Sequence, residues 1–340
     1  MLCVYSHLKV NFSVIQHITN TATFKAIQTD PKVRSYWVVG IALVFATIAP
    51  IGMRAAQQLG MPFQAVVFWR LFPAFLILTP FVLRRYRHQI NHISRRDMIF
   101  ITVAGILLAV HFNFLAASLA YTSILVSQVV TNTGPIWVAI LEMTFLKEKL
   151  GKWVIIGIFV AFAGGITIAL APSIESVPTD AVVARADTLP EANPLLGGLL
   201  GLGAAIGGAV YLLIGRRVRS RVSLLPYIWM VNGIASVTGL LVAFISQEPI
   251  FGYVPEAFLW AWAVAMFVTL LGHGAFNYAV GYLPATIVSI ASQIISVLAG
   301  IVAFVFFSET PLILEIIGSM VIIGGVVLSI LGQRQPNGVK

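Results

Sequence analysis

Apolar residues run along this chain in long blocks, without the period-two or period-3.6 alternation of elements that face water on one side. Stretches of the roughly 20 residues needed to cross about 30 Å of hydrocarbon fall at 36–57, 62–83, 97–119, 123–146, 152–171, 195–215, 223–246, 257–280, 284–307 and 312–332. The pattern predicts ten transmembrane helices and an all-α integral membrane protein. Links at Leu59 to Met61, near Thr122 and at Leu283–Pro284 are short enough to be hairpins, and no extramembrane domain fits between the spans. Composition agrees. Apolar residues make up 59% of the chain and charged residues 10%, and the mean hydropathy is +0.95, which excludes a single water-solvated core.

The blocks also repeat. Residues 111–170 lie on 272–331 at a constant offset of 161 without a gap. Tyr121 then meets Tyr282, Phe145 meets Phe306, Glu148 meets Glu309, Gly157 meets Gly318, Val160 meets Val321 and Gly164 meets Gly325. Duplication of a hydrophobic block is the pattern of transporters whose two halves open a site alternately to either side. Five spans per half is an odd number, so the two five-helix repeats are expected to be inverted. Glu148 should then face the cytoplasm, beside Lys147, Lys149 and Lys152. Glu309 should face the outside, near Glu315 and away from basic residues.

Charge changes the picture through its placement. The net charge is +9, yet 18 of the 21 Lys and Arg fall in segments that share one face when the N-terminus is cytoplasmic; Arg54, Arg70 and Arg185 are the exceptions. The positive-inside rule therefore sets both termini in the cytoplasm of a multi-pass protein of the cell membrane. The basic balance reports topology and not a nucleic-acid partner. The expected units are a disordered cytoplasmic tail at 1–34, a first repeat at 35–171, an external linker at 172–194, a second repeat at 195–332 and a cytoplasmic tail at 333–340. The linker is punctuated by proline and carries Glu175, Asp180, Asp187 and Glu191 against Arg185. The N-terminal segment is read as an extension without assigned function, or as a start codon placed too early. The oligomeric state is open, and a monomer is compatible with the sequence.

Short motifs then carry a resemblance. Ala120, Tyr121, Thr122 and Ser123, followed by Pro135, Glu148, Gly157 and Gly164–Gly165, resemble the EamA-type repeat of the drug/metabolite transporter superfamily. The second half offers Gly281-Tyr282-Leu283-Pro284-Ala285, Glu309, Gly318 and Gly324–Gly325, and Arg70 in Phe68-Trp69-Arg70-Leu71-Phe72 resembles the family's second-helix "R-F". The resemblance covers residues 36 to 332. It implies a secondary transporter that exports small metabolites or amino acids. Two positions depart from symmetry: Pro135 becomes Ser296, and Arg70 faces Met230 or Val231, which points to asymmetric roles.

Candidate chemistry gathers near mid-span. Gln128, Thr131, Asn132, Pro135 and Glu142 fall within roughly 100° of helical arc. Their repeat partners are Ser289, Ser292, Gln293, Ser296 and Ala303, so Asn132 coincides with Gln293. We expect these two stripes to line a substrate cavity; hydrogen bonding between neighbouring helices is the alternative. Arg70 and His111 lie at similar depth and are expected to meet, Arg70 either binding a substrate carboxylate or satisfying carbonyls or Glu142. His273 and Asn277 are candidates for the inner vestibule, Trp137 for stacking on substrate, and Glu142 for proton coupling or an interfacial role. No catalytic or metal-binding set is expected. Cys3 is alone, no nucleotide-binding motif occurs, and no cofactor is called for. The competing readings are efflux of lipophilic cations or multiple drugs, a polytopic membrane enzyme, and a channel. The enzyme reading lacks a convergent His/Asp/Glu set, and the channel reading lacks a charged ring or filter.

Overall fold

The computed structural model describes residues 30–146, 151–174, 193–279, 281–283, 288, 291 and 293–333. Every regular element among them is helical. They are α1 Pro31–Gln58, α2 Phe63–Arg85, α3 Arg87–Asn91, α4 Arg95–Tyr121, α5 Ile124–Thr131, α6 Gly134–Leu146 and α7 Lys152–Ile174 in the first half. The second half holds α8 Pro194–Arg219, α9 Leu224–Ile245, α10 Pro255–Ala263, a π-helix Val264–His273, α11 Gly274–Ala279, α12 Gln293–Phe307 and α13 Ile313–Gln333. Seven helical segments among the described residues are long and apolar enough to cross a membrane, and shorter apolar helices run Lys152–Ile168, Ile294–Phe307 and Ile313–Leu328.

Local chemistry sets the helix starts. The side chain of Ser94 accepts from the Asp97 N–H at 3.1 Å, that of Ser123 accepts from Val126 N–H at 3.3 Å, and Asn193 Oδ1 accepts from Leu196 N–H at 3.1 Å. Each supplies a partner for a first-turn N–H that the helix itself leaves unbonded. Asp97 also receives Arg221 at 3.1 Å from Nε, which ties the start of α4 to the turn after α8. That pairing raises the Arg221 pKa.

Two stretches differ from the continuous spans expected. The span at 123–146 is broken at Asn132–Thr133, between α5 and α6. Pro135 accounts for the break: it has no N–H for the Thr131 carbonyl, and its ring collides there. The second departure is the π-helix Val264–His273 inside the span at 257–280. Such widened turns are rare and concentrate at functional sites.

The offset of 161 reappears in the helices. It carries Phe63–Arg85 onto 224–246, where α9 runs Leu224–Ile245, and it carries the start of α7 at Lys152 onto Ile313, the start of α13. Equivalent spans pack against each other antiparallel. Phe75 stacks on Trp229 while Gly239 lies beside Phe68. Asn132 bonds Ser296 while Gly300 meets Leu125. In α7 and α13, a Cβ on Gly164 would sit 2.6 Å from the Gly318 carbonyl, and one on Gly325 would sit 2.6 Å from the Gly157 carbonyl. Gly157 and Gly164 are the repeat equivalents of Gly318 and Gly325. The contact is therefore isologous, residue i touching j′ and j touching i′, as a two-fold axis requires. We expect Gly318→Val to lose about 1–3 kcal/mol or more by overpacking this crossing. Thermal unfolding in detergent, compared with Gly324→Val, checks this, because a Cβ on Gly324 meets no atom within 4 Å.

The exterior is as apolar as the core. Phe159, Val237, Phe244, Leu259, Phe306 and Met320 are all exposed, while Arg54, Arg70, Gln128 and Asn277 are buried. A water-solvated protein has the reverse arrangement. The bundle is built for a hydrocarbon solvent.

Candidate functional site

A cavity of about 160 Å³ lies where α2, α4, the α5–α6 break, α8 and the π-helix converge. Arg70, His111, Gln128, Asn132, His273 and Asn277 border it, with Thr131, Gly134 and Tyr211. Seven of the side chains anticipated from sequence, Thr131 among them, thus share one space. Arg70 is 1% exposed. Its Nε donates to Thr269 Oγ1 at 3.2 Å, its Nη1 donates to Met53 Sδ at 3.1 Å, and its guanidinium lies 3.7 Å over the Phe112 ring. Both histidines pack on the same ring, with centroids 4.9 Å away for His111 and 5.1 Å for His273. Among the described residues no carboxylate pairs with Arg70.

His111 is fixed by α8: its Nδ1 donates to the Ala204 carbonyl at 2.7 Å, and the approach depends on Gly208, where a Cβ would lie 2.9 Å from that nitrogen. The Gly207–Gly208 pair is thus a close helix contact at the cavity wall. Asn277 donates to the His273 carbonyl at 2.8 Å and lies 3.0 Å from Tyr211 Oη. Asn132 donates to Ser296 at 2.8 Å, so Ser296 sits behind Asn132 and is fully buried. Trp137 borders a different space, an apolar groove of about 240 Å³ with Pro194, Leu199 and Ile322, and donates to Thr133 at 3.3 Å. Gln293 begins α12. The side chains of Gln293 and Glu142, and all of Glu148, lie outside the described residues.

One end of the bundle is tied together by a buried ion pair whose members lie far apart in the sequence. Arg54 Nη1 donates to Glu309 Oε1 at 2.7 Å, and its Nη2 donates to the carbonyls of Leu119 and Thr122 at 2.6 and 2.7 Å. Glu309 Oε2 accepts from the Ile124 N–H at 2.9 Å, which satisfies the start of α5. Both side chains are buried, and together they join α1, α4, α5 and the turn after α12. The available signal was an arginine in the apolar run Met53-Arg54-Ala55-Ala56, where an ionisable group demands a partner. The cavity lies away from this knot and reaches Tyr211, Phe276 and Asn277. At that opposite end Arg34 donates to Tyr278 Oη at 2.6 Å.

Comparison with known proteins follows the same architecture. The EamA-like transporter family matches the chain twice, over 34–170 and 195–331. The uncharacterized transporter YetK of Bacillus subtilis (strain 168) is 27% identical over 221 residues, and the match spans 64% of this chain and 63% of YetK. The uncharacterized transporter YyaM of the same organism is 25% identical over 236 residues, 68% of this chain and 73% of YyaM. One solved crystal structure shares the fold at a TM-score of 0.58 and 15% identity, over 88% of this chain and 99% of the other.

Proposed function

The chain belongs to the EamA-like transporter family, a family of multi-pass membrane transporters and not of enzymes, and from that premise we propose that it exports a small metabolite by alternating access through the central cavity. Its frame is ten crossings arranged as two inverted five-helix repeats, one at 35–171 and one at 195–332, with both termini in the cytoplasm of a cell-membrane protein. The observation that carries this reading is the cavity itself. Buried polar groups from both halves converge on it beside a broken helix, and discontinuous helices near the bilayer centre are a recurrent way to build a transport site.

The sealed end supports the direction. Arg54 and Glu309 close the end read as external, and the cavity extends towards the end bearing Arg34 and Tyr278, read as cytoplasmic. A substrate enters from the cytoplasm in this state. Opening the other way requires the Arg54–Glu309 pair to separate while the antiparallel repeats rock about their shared axis. A lipophilic cation fits this cavity poorly, because Arg70 presents a buried positive charge to it.

The test is untargeted metabolite measurement on cells overproducing the chain. Export predicts that at least one small metabolite rises in the medium and falls in the cells, and that Asn132→Ala reduces the effect by about tenfold at unchanged expression. Identical metabolite profiles with and without the protein would remove the export reading. Profiles altered equally by wild type and Asn132→Ala would remove Asn132 from the site.

A further inference from the structure

We propose that the cavity takes a small organic monoanion, a carboxylate on a compact apolar or aromatic body, in preference to a zwitterion or a cation; this rests on reading the cavity as the transport site. Four independent features of its wall agree. Arg70 is buried, and its neighbours are a hydroxyl, a thioether and an aromatic face, none of which carries a negative charge. A desolvated guanidinium is costly until an anion meets it, and its planar fork matches a carboxylate.

The break at Asn132–Thr133 supplies the second feature. Gly134 opens the 13-residue α6 at the cavity edge, so the positive end of that half-helix lies beside the same space. Unused donors are the third. Gln128 Nε2 and the Thr131 hydroxyl are buried at 5% and 8% residue exposure and have no hydrogen-bond partner among the described residues, although both side chains border the cavity. A buried donor left unpaired implies a missing acceptor.

The fourth feature is what the wall lacks. No Asp or Glu borders the cavity among the described residues, so the described wall offers an ammonium group no counter-charge. This separates a simple monoanion from an amino acid. Size narrows the class further: about 160 Å³ is close to the roughly 150 Å³ that accommodates benzene in an apolar protein cavity. The remaining lining includes Leu115, Val138, Val268 and Phe276, which suit an apolar body.

The experiment uses three near-isosteric probes, benzoate, benzamide and benzylamine, titrated calorimetrically into the purified full chain. Benzoate is expected to bind at least about tenfold more tightly than benzamide, with no saturable binding of benzylamine. Arg70→Met should bring the benzoate and benzamide affinities together while leaving the melting temperature unchanged or higher, because it removes an uncompensated buried charge. Arg70→Lys should keep part of the preference. Benzamide binding as well as benzoate, saturable binding of benzylamine, or no benzoate binding up to about 10 mM would overturn the assignment. So would an Arg70→Met protein that retains the preference or melts lower, the mark of a structural arginine. The two readings fail separately. Benzoate preference that survives a cavity-filling Gly134→Phe places the anion site elsewhere and defeats the anion assignment, whereas export that survives Gly134→Phe defeats the transport-site reading. Loss of export in Gly134→Phe with no benzoate binding in wild type keeps that reading and defeats the anion.

Discussion

Glu309→Ala is expected to destabilise the protein by about 3–5 kcal/mol, because it strands a buried cation. Arg54 is 1% exposed, and its Nη1 relies on the Glu309 carboxylate at 2.7 Å. The same carboxylate accepts the first N–H of α5 at 2.9 Å, so one truncation removes an ion pair and a helix cap together. Arg54→Met combined with Glu309→Gln should recover most of the loss, since the amide still accepts from Ile124 and no buried charge remains. Equilibrium unfolding of the three proteins in detergent decides the matter. A Glu309→Ala protein within about 1 kcal/mol of wild type would mean that the pair is solvated and does not seal the bundle.

Gly134→Phe should abolish transport, by about two orders of magnitude, while leaving stability near wild type. Gly134 borders the cavity, and a Cβ built on it meets no atom within 4 Å outside its own chain neighbours, so a large side chain there starts into open space. Most inactivating substitutions in a transporter lower stability as well. Here the two effects separate, and flux assayed beside thermal unfolding reads both. Undiminished flux in Gly134→Phe would show that substrate does not cross this cavity.

Much of this architecture is legible in the sequence because the membrane imposes a coarse rule, and coarse rules survive single-chain reading. Hydropathy blocks gave helix positions close to those seen, and the 161-residue offset recurs in the helix starts at Lys152 and Ile313 and in the two family matches. Breaks within helices were harder. Pro135 was read as part of a continuous stripe, although its missing N–H ends α5 at Thr131; the π-helix at Val264–His273 has no comparable marker.

The site was legible in its polar members, since a buried Arg70, His111 or Asn132 is conspicuous in an apolar run. Its organising ring was not. Phe112, which carries Arg70 and both histidines, is one of 22 phenylalanines and is distinguished only by its neighbours in space. Trp137, a candidate for stacking on substrate, lies in a separate groove: nine residues beyond Gln128, it stands about 180° around the helix from the polar stripe. Arg54 and Glu309 are 255 residues apart, beyond the reach of any local pattern.

The central claim is that this cavity opens alternately to the two sides of the membrane. Its most direct measurement is cysteine accessibility at Asn132→Cys in a Cys3→Ser background, which is free of other thiols, using a membrane-impermeant thiol reagent from each face. The account predicts labelling from the cytoplasmic face in the resting protein, and a shift towards the external face when Glu309→Gln weakens the seal at Arg54. Labelling from neither face, or from one face alone whatever stands at position 309, would contradict it.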